Sequence, residues 1–323
     1  MCPLSPGRPG FDDRIRMRLD SRTLFSGTRP PQEKNCPVIK KVDAAQACRW
    51  LHEAAALNRE DPLRQGATLH FRAAGQLVVT GDMHGNLKNF DKLQRFCALE
   101  KSPGRSVILH ELIHQEIVRS DDVDLSIDLL LQAVEWKCAF PDNVFFLLSN
   151  HELAQLRGQE ITKGGRSVIR DFERGVAYRF GAEAEAVLKG VGDYIASLPL
   201  AARTANGVFI SHSLPEPMSM PSFDLTVFER ELTDADVAPG GLAYAVCWGR
   251  FHNARDIEYF AQKLGVRQFI IGHTPQESGY NVIGNLIILA SDHAHGTFLP
   301  FDLAKSHTVE DLESGIRKFV SVE

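Results

Sequence analysis

Apolar residues along this chain fall into short runs that close on glycine, histidine or asparagine, alternating with longer stretches at helical spacing. Ala45, Cys48, Leu51 and Ala55 recur every three or four residues and predict an amphipathic helix over 43–58. Leu87, Phe90, Leu93 and Cys97 predict another over 86–100. Runs at 69–72 and 76–80, separated by Ala73-Ala74-Gly75, read as a hairpin. Strands are expected at 105–109 and 143–149, with a helix over 123–137 between them. Helical segments fill 151–196, broken at Gly164-Gly165, with Arg166, Arg170, Arg174 and Arg179 expected on exposed faces. The runs 198–203 and 207–211, joined through Thr204-Ala205-Asn206, read as a hairpin; a helix follows at 254–264, then strands at 268–271, 285–290 and 297–302. Strand, loop and helix in repetition mark an α/β domain, whose functional side chains gather where strands end.

One stretch organises the rest. Gly81-Asp82-Met83-His84-Gly85-Asn86 directly follows the apolar Leu77-Val78-Val79-Thr80. Two glycines flank a carboxylate and an imidazole one residue apart, so the backbone can turn sharply while both side chains face a hard or borderline cation. Ser149-Asn150-His151-Glu152, Ser211-His212-Ser213-Leu214-Pro215 and Ile271-Gly272-His273-Thr274-Pro275 close predicted strands in the same way. A pair of cations needs mixed nitrogen and oxygen ligands from several strand ends, together with a bridging carboxylate. Asp82, His84, Asn150, His212 and His273 supply such donors.

Composition narrows the class. The 323 residues are 44% apolar and 24% charged, an ordinary globular balance with length enough for a large core. No apolar run approaches the roughly 20 residues that cross a bilayer, and the first residues lack a signal-peptide core, so no membrane partner is expected and the expected compartment is the cytoplasm. Cys2, Cys36, Cys48, Cys97, Cys138 and Cys247 are scattered without C-x-x-C spacing and read as buried thiols. A net charge of −5 argues against dedicated nucleic-acid binding. Residues 1–41 nevertheless carry +5 and the remainder −10. That leading segment, rich in Pro, Gly, Ser and Arg, reads as a basic, loosely ordered arm ahead of a single domain over 42–323.

The motifs resemble those of the calcineurin-like metallophosphoesterases, within them the branch of phosphoprotein phosphatases and bacterial relatives. The resemblance covers about 77–302 and rests on Gly81-Asp82-Met83-His84-Gly85-Asn86, on Asn150-His151-Glu152, on Leu198-Pro199-Leu200 with its hairpin into His212-Ser213-Leu214-Pro215, and on Gly272-His273-Thr274-Pro275. It implies a four-layer sandwich, two mixed β-sheets flanked by helices, holding two divalent ions, commonly manganese, iron or zinc. By resemblance Asp82 and His84 belong to one ion and Asn150, His212 and His273 to the other, the pair activating a bridging water for in-line attack on phosphorus. His151 resembles the acid that protonates the leaving oxygen. Trp248-Gly249-Arg250 resembles a Trp-x-Arg segment, so Arg250 either grips phosphate as a planar fork or makes a surface salt bridge.

The second family motif departs from the pattern. In place of Gly-Asp-x-x-Asp-Arg-Gly stands His110-Glu111-Leu112-Ile113-His114-Gln115-Glu116. In that register Glu111 takes the place of the bridging aspartate, His114 that of the carboxylate orienting His151, and Gln115 that of a phosphate-binding arginine. Three readings follow. The first is a dimetal phosphoesterase acting on a phosphomonoester, with a phosphoprotein or a nucleotide-like small molecule as substrate. The second is a degenerate metal-binding regulator without turnover. The third takes His110-Glu111-Leu112-Ile113-His114 as a zinc-peptidase His-Glu-x-x-His, which requires a helix there; strand or helix over 105–109 separates it from the others. His293 reads as polar packing, and Glu116 and Glu152 as helix-start or surface charges.

Overall fold

Two β-sheets face one another through every second residue of their strands, and the elements follow from that alternation. The computed structural model describes residues 42–117, 119 and 122–323; the expected arm over 1–41 lies outside them. In chain order, α1 (Ala44–Arg59) precedes β1 (Arg64–Gln65), β2 (Thr68–Phe71) and β3 (Gln76–Asp82). Helix α2 (Leu87–Cys97) leads to β4 (Arg105–His110), and α3 (Ser126–Ala139) to β5 (Val144–Phe146) and α4 (Asn150–Arg157). A small ribbon, β6 (Thr162–Lys163) and β7 (Arg166–Ser167), separates α4 from α5 (Val168–Phe180) and α6 (Ala184–Ala196). Then come β8 (Ala201–Thr204), β9 (Val208–Ser211), α7 (Leu242–Trp248), α8 (Ala254–Leu264), β10 (Gln268–Ile271), β11 (Tyr280–Ile283), β12 (Leu286–Leu289), β13 (Thr297–Asp302), α9 (Val309–Gly315) and β14 (Arg317–Lys318).

One sheet runs β1-β2-β8-β9-β10-β12-β11 and the other β14-β13-β3-β4-β5. Both are mixed. Leu77 and Val79 of β3, Ile108 of β4, Phe145 of β5, Ile210 of β9, Ile270 of β10 and Ile287 of β12 form one buried cluster between them. Each such side chain removed from water contributes on the order of 1.5–3 kcal/mol, which makes this cluster the main source of cohesion between the sheets. Alternate residues point outward: Phe209 and Phe269 meet Phe228 and Phe260, the last on α8. Helices α2 and α3 join through the Phe90–Trp136 edge contact and lie against β4 and β5. The result is the expected α/β arrangement of two mixed sheets flanked by helices.

Local signals set the helix ends. Asp43 accepts from Gln46 N at 2.7 Å, Asn86 from Asn89 N at 3.0 Å and Asn253 from Asp256 N at 3.1 Å, each satisfying a first-turn donor that has no partner within the helix. Helix α8 and strands β10 and β13 have the predicted boundaries.

Elsewhere the structure corrects the expectation. Strands β2 and β3 do not form a hairpin: β2 pairs with β1 and β8, whereas β3 lies between β13 and β4 in the opposite sheet. Leu69 and Phe71 thereby bury against Leu77 and Val79 across the sandwich instead of beside them. Arg166 and Arg179 are half-buried and not exposed, held by Asp171 and Asp128 at 2.9 Å. Helices α7 and α9 and strand β11 have no counterpart in the sequence reading. Among the described residues no helix is long and apolar enough to cross a membrane.

Strands β3, β4 and β5 are mutually parallel, as are β9, β10 and β12. A parallel bridge from Asp82 to Ala290 gives both sets one direction, so six carboxyl ends reach the same edge. At this seam Gly81 N donates to Ser291 Oγ at 2.9 Å and Ser291 N to the Asp82 carbonyl at 3.1 Å. A Cβ on Gly81 would meet the Leu289 carbonyl at 2.0 Å, too close for any side chain. Gly81→Ala is therefore expected to destabilise the protein by about 2–4 kcal/mol, chiefly by forcing the sheets apart. Urea unfolding measures it; a midpoint unchanged from wild type contradicts the seam.

Candidate metal centre

The loop after β3 turns at His84 and Gly85, with φ of 40° and 74°. Its backbone is held to the altered second motif: Met83 N and His84 N both donate to the Glu111 carbonyl at 2.9 Å, and Gly85 N to that of Leu112 at 2.9 Å. His84 Nδ1 donates to the Ile113 carbonyl at 3.1 Å, which leaves its Nε2 lone pair turned toward Glu111 Oε2, 3.8 Å away. Glu111, His114 and His273 also sit at positive φ, costly for residues with a Cβ. Such strain, of order 1–3 kcal/mol each, persists where surrounding structure holds it and gathers at functional sites.

One half of the centre is tightly converged. His212 Nε2 lies 2.7 Å from Asn150 Oδ1 and 3.2 Å from His273 Nδ1, and the latter two atoms are 3.0 Å apart. Glu111 Oε2 is 3.5 Å from the same His212 nitrogen. Adjacent ligands around an ion with bonds near 2.1 Å stand about 3 Å apart, so the Asn150, His212 and His273 donors have the spacing a divalent cation requires, with Glu111 close to one of them. On the other side of Glu111, the ligand atoms of His84, Glu111 and His151 lie within 4.8 Å of one another, as do those of Asp82, His110 and His212. Asp82 Oδ1 accepts from His273 N at 3.0 Å, and Gly272 leaves room for it: a Cβ there would stand 2.3 Å from that oxygen.

Electrostatics agree with the geometry. Burial raises the pKa of Asp82, and burial followed by repulsion from Asp82 and Glu152 pushes Glu111 well above the carboxylate range. Burial also holds His110, His114 and His273 down at about 3 and His212 and His151 well below the ordinary imidazole range. Two acids destabilised as anions beside neutral imidazoles form a donor set for a positive charge that the protein itself does not supply.

The second motif is strand, then irregular loop. His110 ends β4, and 111–117 form no helix. The one-turn spacing on which a His-Glu-x-x-His zinc site depends is absent, which removes the peptidase reading. Instead His114 Nδ1 meets His151 Nδ1 at 2.9 Å, while His114 Nε2 meets Gln155 Oε1 at 3.0 Å. Since Gln155 Oε1 accepts, His114 carries its proton on Nε2, and His151 Nδ1–H donates to the remaining lone pair. His151 Nε2 then faces Glu111 Oε1 at 3.7 Å. Arg250 Nε donates to His273 Nε2 at 2.9 Å from an otherwise exposed position. Gln115 is exposed, and His293 Nε2 pairs with the Gln276 carbonyl at 2.9 Å, as polar packing predicts.

Glu152 does more than the sequence indicates. Glu116 is a surface charge paired with Lys163 at 3.4 Å, but Glu152, in the first turn of α4, is 3% exposed. Its Oε1 accepts from Leu112 N at 2.8 Å, its Oε2 contacts Ser149 Oγ, and so it clamps the altered loop to α4. An acidic residue three positions after a serine cap is commonplace, so although Glu152 closes the Asn150-His151-Glu152 motif it read as a helix-start charge. His110, a candidate ligand in the sequence only through the peptidase reading, is fully buried, with neither ring nitrogen paired among the described residues.

The chain belongs to the calcineurin-like phosphoesterase family, which it matches over residues 75–277. Among solved structures it is similar to a protein serine/threonine phosphatase from Saccharomyces cerevisiae, itself described as similar to human phosphatase PP5. The TM-score is 0.64 at 16% identity, covering 81% of this chain and 83% of that one. It is also similar to a cold-active protein-tyrosine phosphatase of a psychrophilic Shewanella, with a TM-score of 0.51 at 13% identity, covering 77% and 80%. No curated protein matches the sequence.

Burial pushes Glu152 up from 4.5 to about 7. With the folded-state value raised, its contribution to stability is complete below pH 4.5 and is lost as pH rises through 7. Glu152→Gln has no such loss, so between about pH 4 and about pH 8 the stability difference should move in the variant's favour by about 3 kcal/mol in cation-free protein. Urea unfolding at both pH values tests this; a difference independent of pH rules out a buried, protonated Glu152.

Proposed function

We propose that this protein is a dimetal phosphoesterase that hydrolyses phosphomonoesters. The observation that carries the reading is the convergence of Asn150 Oδ1, His212 Nε2 and His273 Nδ1, mutually 2.7–3.2 Å apart, beside the buried Glu111. Asp82 and His84 would hold one ion and Asn150, His212 and His273 the other, with the Glu111 carboxylate serving both. Manganese, iron or zinc suits this mixed nitrogen and oxygen set. When bound, such a pair supplies Lewis acidity that activates water and offsets phosphate charge.

The chain's own residues then shape the reaction. Once His273 presents the Nδ1 lone pair to a cation, its proton resides on Nε2, and that nitrogen no longer accepts from Arg250. The guanidinium becomes available to grip phosphate oxygens as a fork. His151 donates a proton to the leaving oxygen from Nε2, but its partner is neutral His114, which orients the ring without stabilising an imidazolium as a carboxylate would. Esters with good leaving groups, such as aryl phosphates, therefore turn over best. Both structural neighbours carry names of protein phosphatases, which supports a phosphorylated protein as one substrate class; a nucleotide-like small molecule fits equally.

The neutral His114–His151 pair and the absence of an arginine at Gln115 also favour a second reading, a metal-binding regulator with no turnover. Manganese-dependent hydrolysis of an aryl phosphate decides between them. The phosphoesterase reading expects release that falls by at least about 10²-fold in Asp82→Asn; no release above that variant leaves the regulator. For an enzyme, His114→Asp should raise kcat for an alkyl phosphate by about tenfold while altering the aryl ester less, because only the poor leaving group needs the acid. Equal effects on both esters contradict the role given to His151.

A further inference from the structure

The family pair leaves His110 unexplained. It replaces a glycine of the second motif, ends β4 immediately before Glu111, and is 0% exposed. Among the described residues neither ring nitrogen has a hydrogen-bond partner, and the Nδ1 of His212, also 0% exposed, has none either. Three unpaired ring nitrogens in one buried place are costly, since each such polar atom forfeits about 1–3 kcal/mol when it leaves water without a partner. Ligand atoms of Asp82, His110 and His212 lie within 4.8 Å of one another, the dimensions of a ligand set, and the unpaired His212 Nδ1 is 3.6 Å from Asp82 Oδ1.

We propose that His110, Asp82 and His212 Nδ1 form an inner divalent-cation site, one layer deeper than the ion pair bridged by Glu111. One carboxylate and two imidazoles suit zinc or another borderline ion, with solvent completing the shell. His212 then spans two ions: Nε2 faces the ion of Asn150 and His273, and Nδ1 the inner one. Loading both makes the ring an imidazolate, with the Nδ1 proton released to solvent. His110, at a position where glycine could offer no ligand, is the residue that creates the site.

The inference concerns cation number and so is tested apart from catalysis. Equilibrium dialysis of the full chain against zinc, with elemental analysis, should give three ions per chain for the wild type and two for His110→Phe, which keeps the bulk but removes the nitrogens. His110→Gln, a second variant with polar atoms, should also lose the third ion. A wild type that binds no more than two ions overturns the proposal even if neither variant folds, and so does a count equal in wild type and a folded His110→Phe. Cation-dependent aryl phosphate hydrolysis, followed on the same samples, reports separately on the phosphoesterase reading: two ions with activity overturn the inner site alone.

Discussion

Charge balance at one sheet edge is the constraint on which the rest of the structure depends. Asp82 and Glu111 are both buried and repel each other as anions, and the rings around them are held neutral by the same burial. A site that keeps two acids together away from water and surrounds them with lone pairs is unfavourable by itself. A divalent cation inverts that balance, because it favours both the ionised carboxylates and the neutral imidazoles. The same groups that weigh against the fold when bare thus become the reason the edge is built as it is.

Topology makes the edge possible. Parallel strands from two sheets end together only because the Asp82–Ala290 bridge fixes their relative direction, and only glycine at position 81 allows the approach. The strained backbone at His84, Glu111, His114 and His273 then aims side chains that a regular strand end would send elsewhere. Glu152 supports this by accepting from Leu112 N in the loop that carries Glu111, and Glu111 Oε1 accepts from His151 N in the helix that carries Asn150 and His151.

Much of this was legible in the sequence, for identifiable reasons. Asp82, His84, Asn150, His212 and His273 could be read because each follows an apolar run and belongs to a short motif with few other uses. Helix 254–264 was legible through its period and its Asn253 cap. The pairing of β2 and β3 was not, since strands on either side of a short connection look alike whether they lie side by side or face each other across a core. Strand β11 is a partly exposed edge and α7 spans only seven residues, so neither has a long periodic signature. Glu152 was hidden differently: an acid in the first turn of a helix is ordinary, and only its burial against Leu112 N and Ser149 Oγ makes it notable.

The altered second motif is therefore a local rebuilding within a retained frame. Glu111 keeps a buried carboxylate beside His84, His151 and His212, while His110 and His114 add imidazoles where the family motif has glycine and aspartate. The direct test of the central claim is anomalous diffraction from crystals of the manganese-loaded protein. Strong peaks are expected on both sides of Glu111, two of them about 3.5–4 Å apart with Asn150, His212 and His273 around one, whether or not the inner site at His110 adds a third. A lone peak, or peaks in separate pockets away from Glu111, would contradict it.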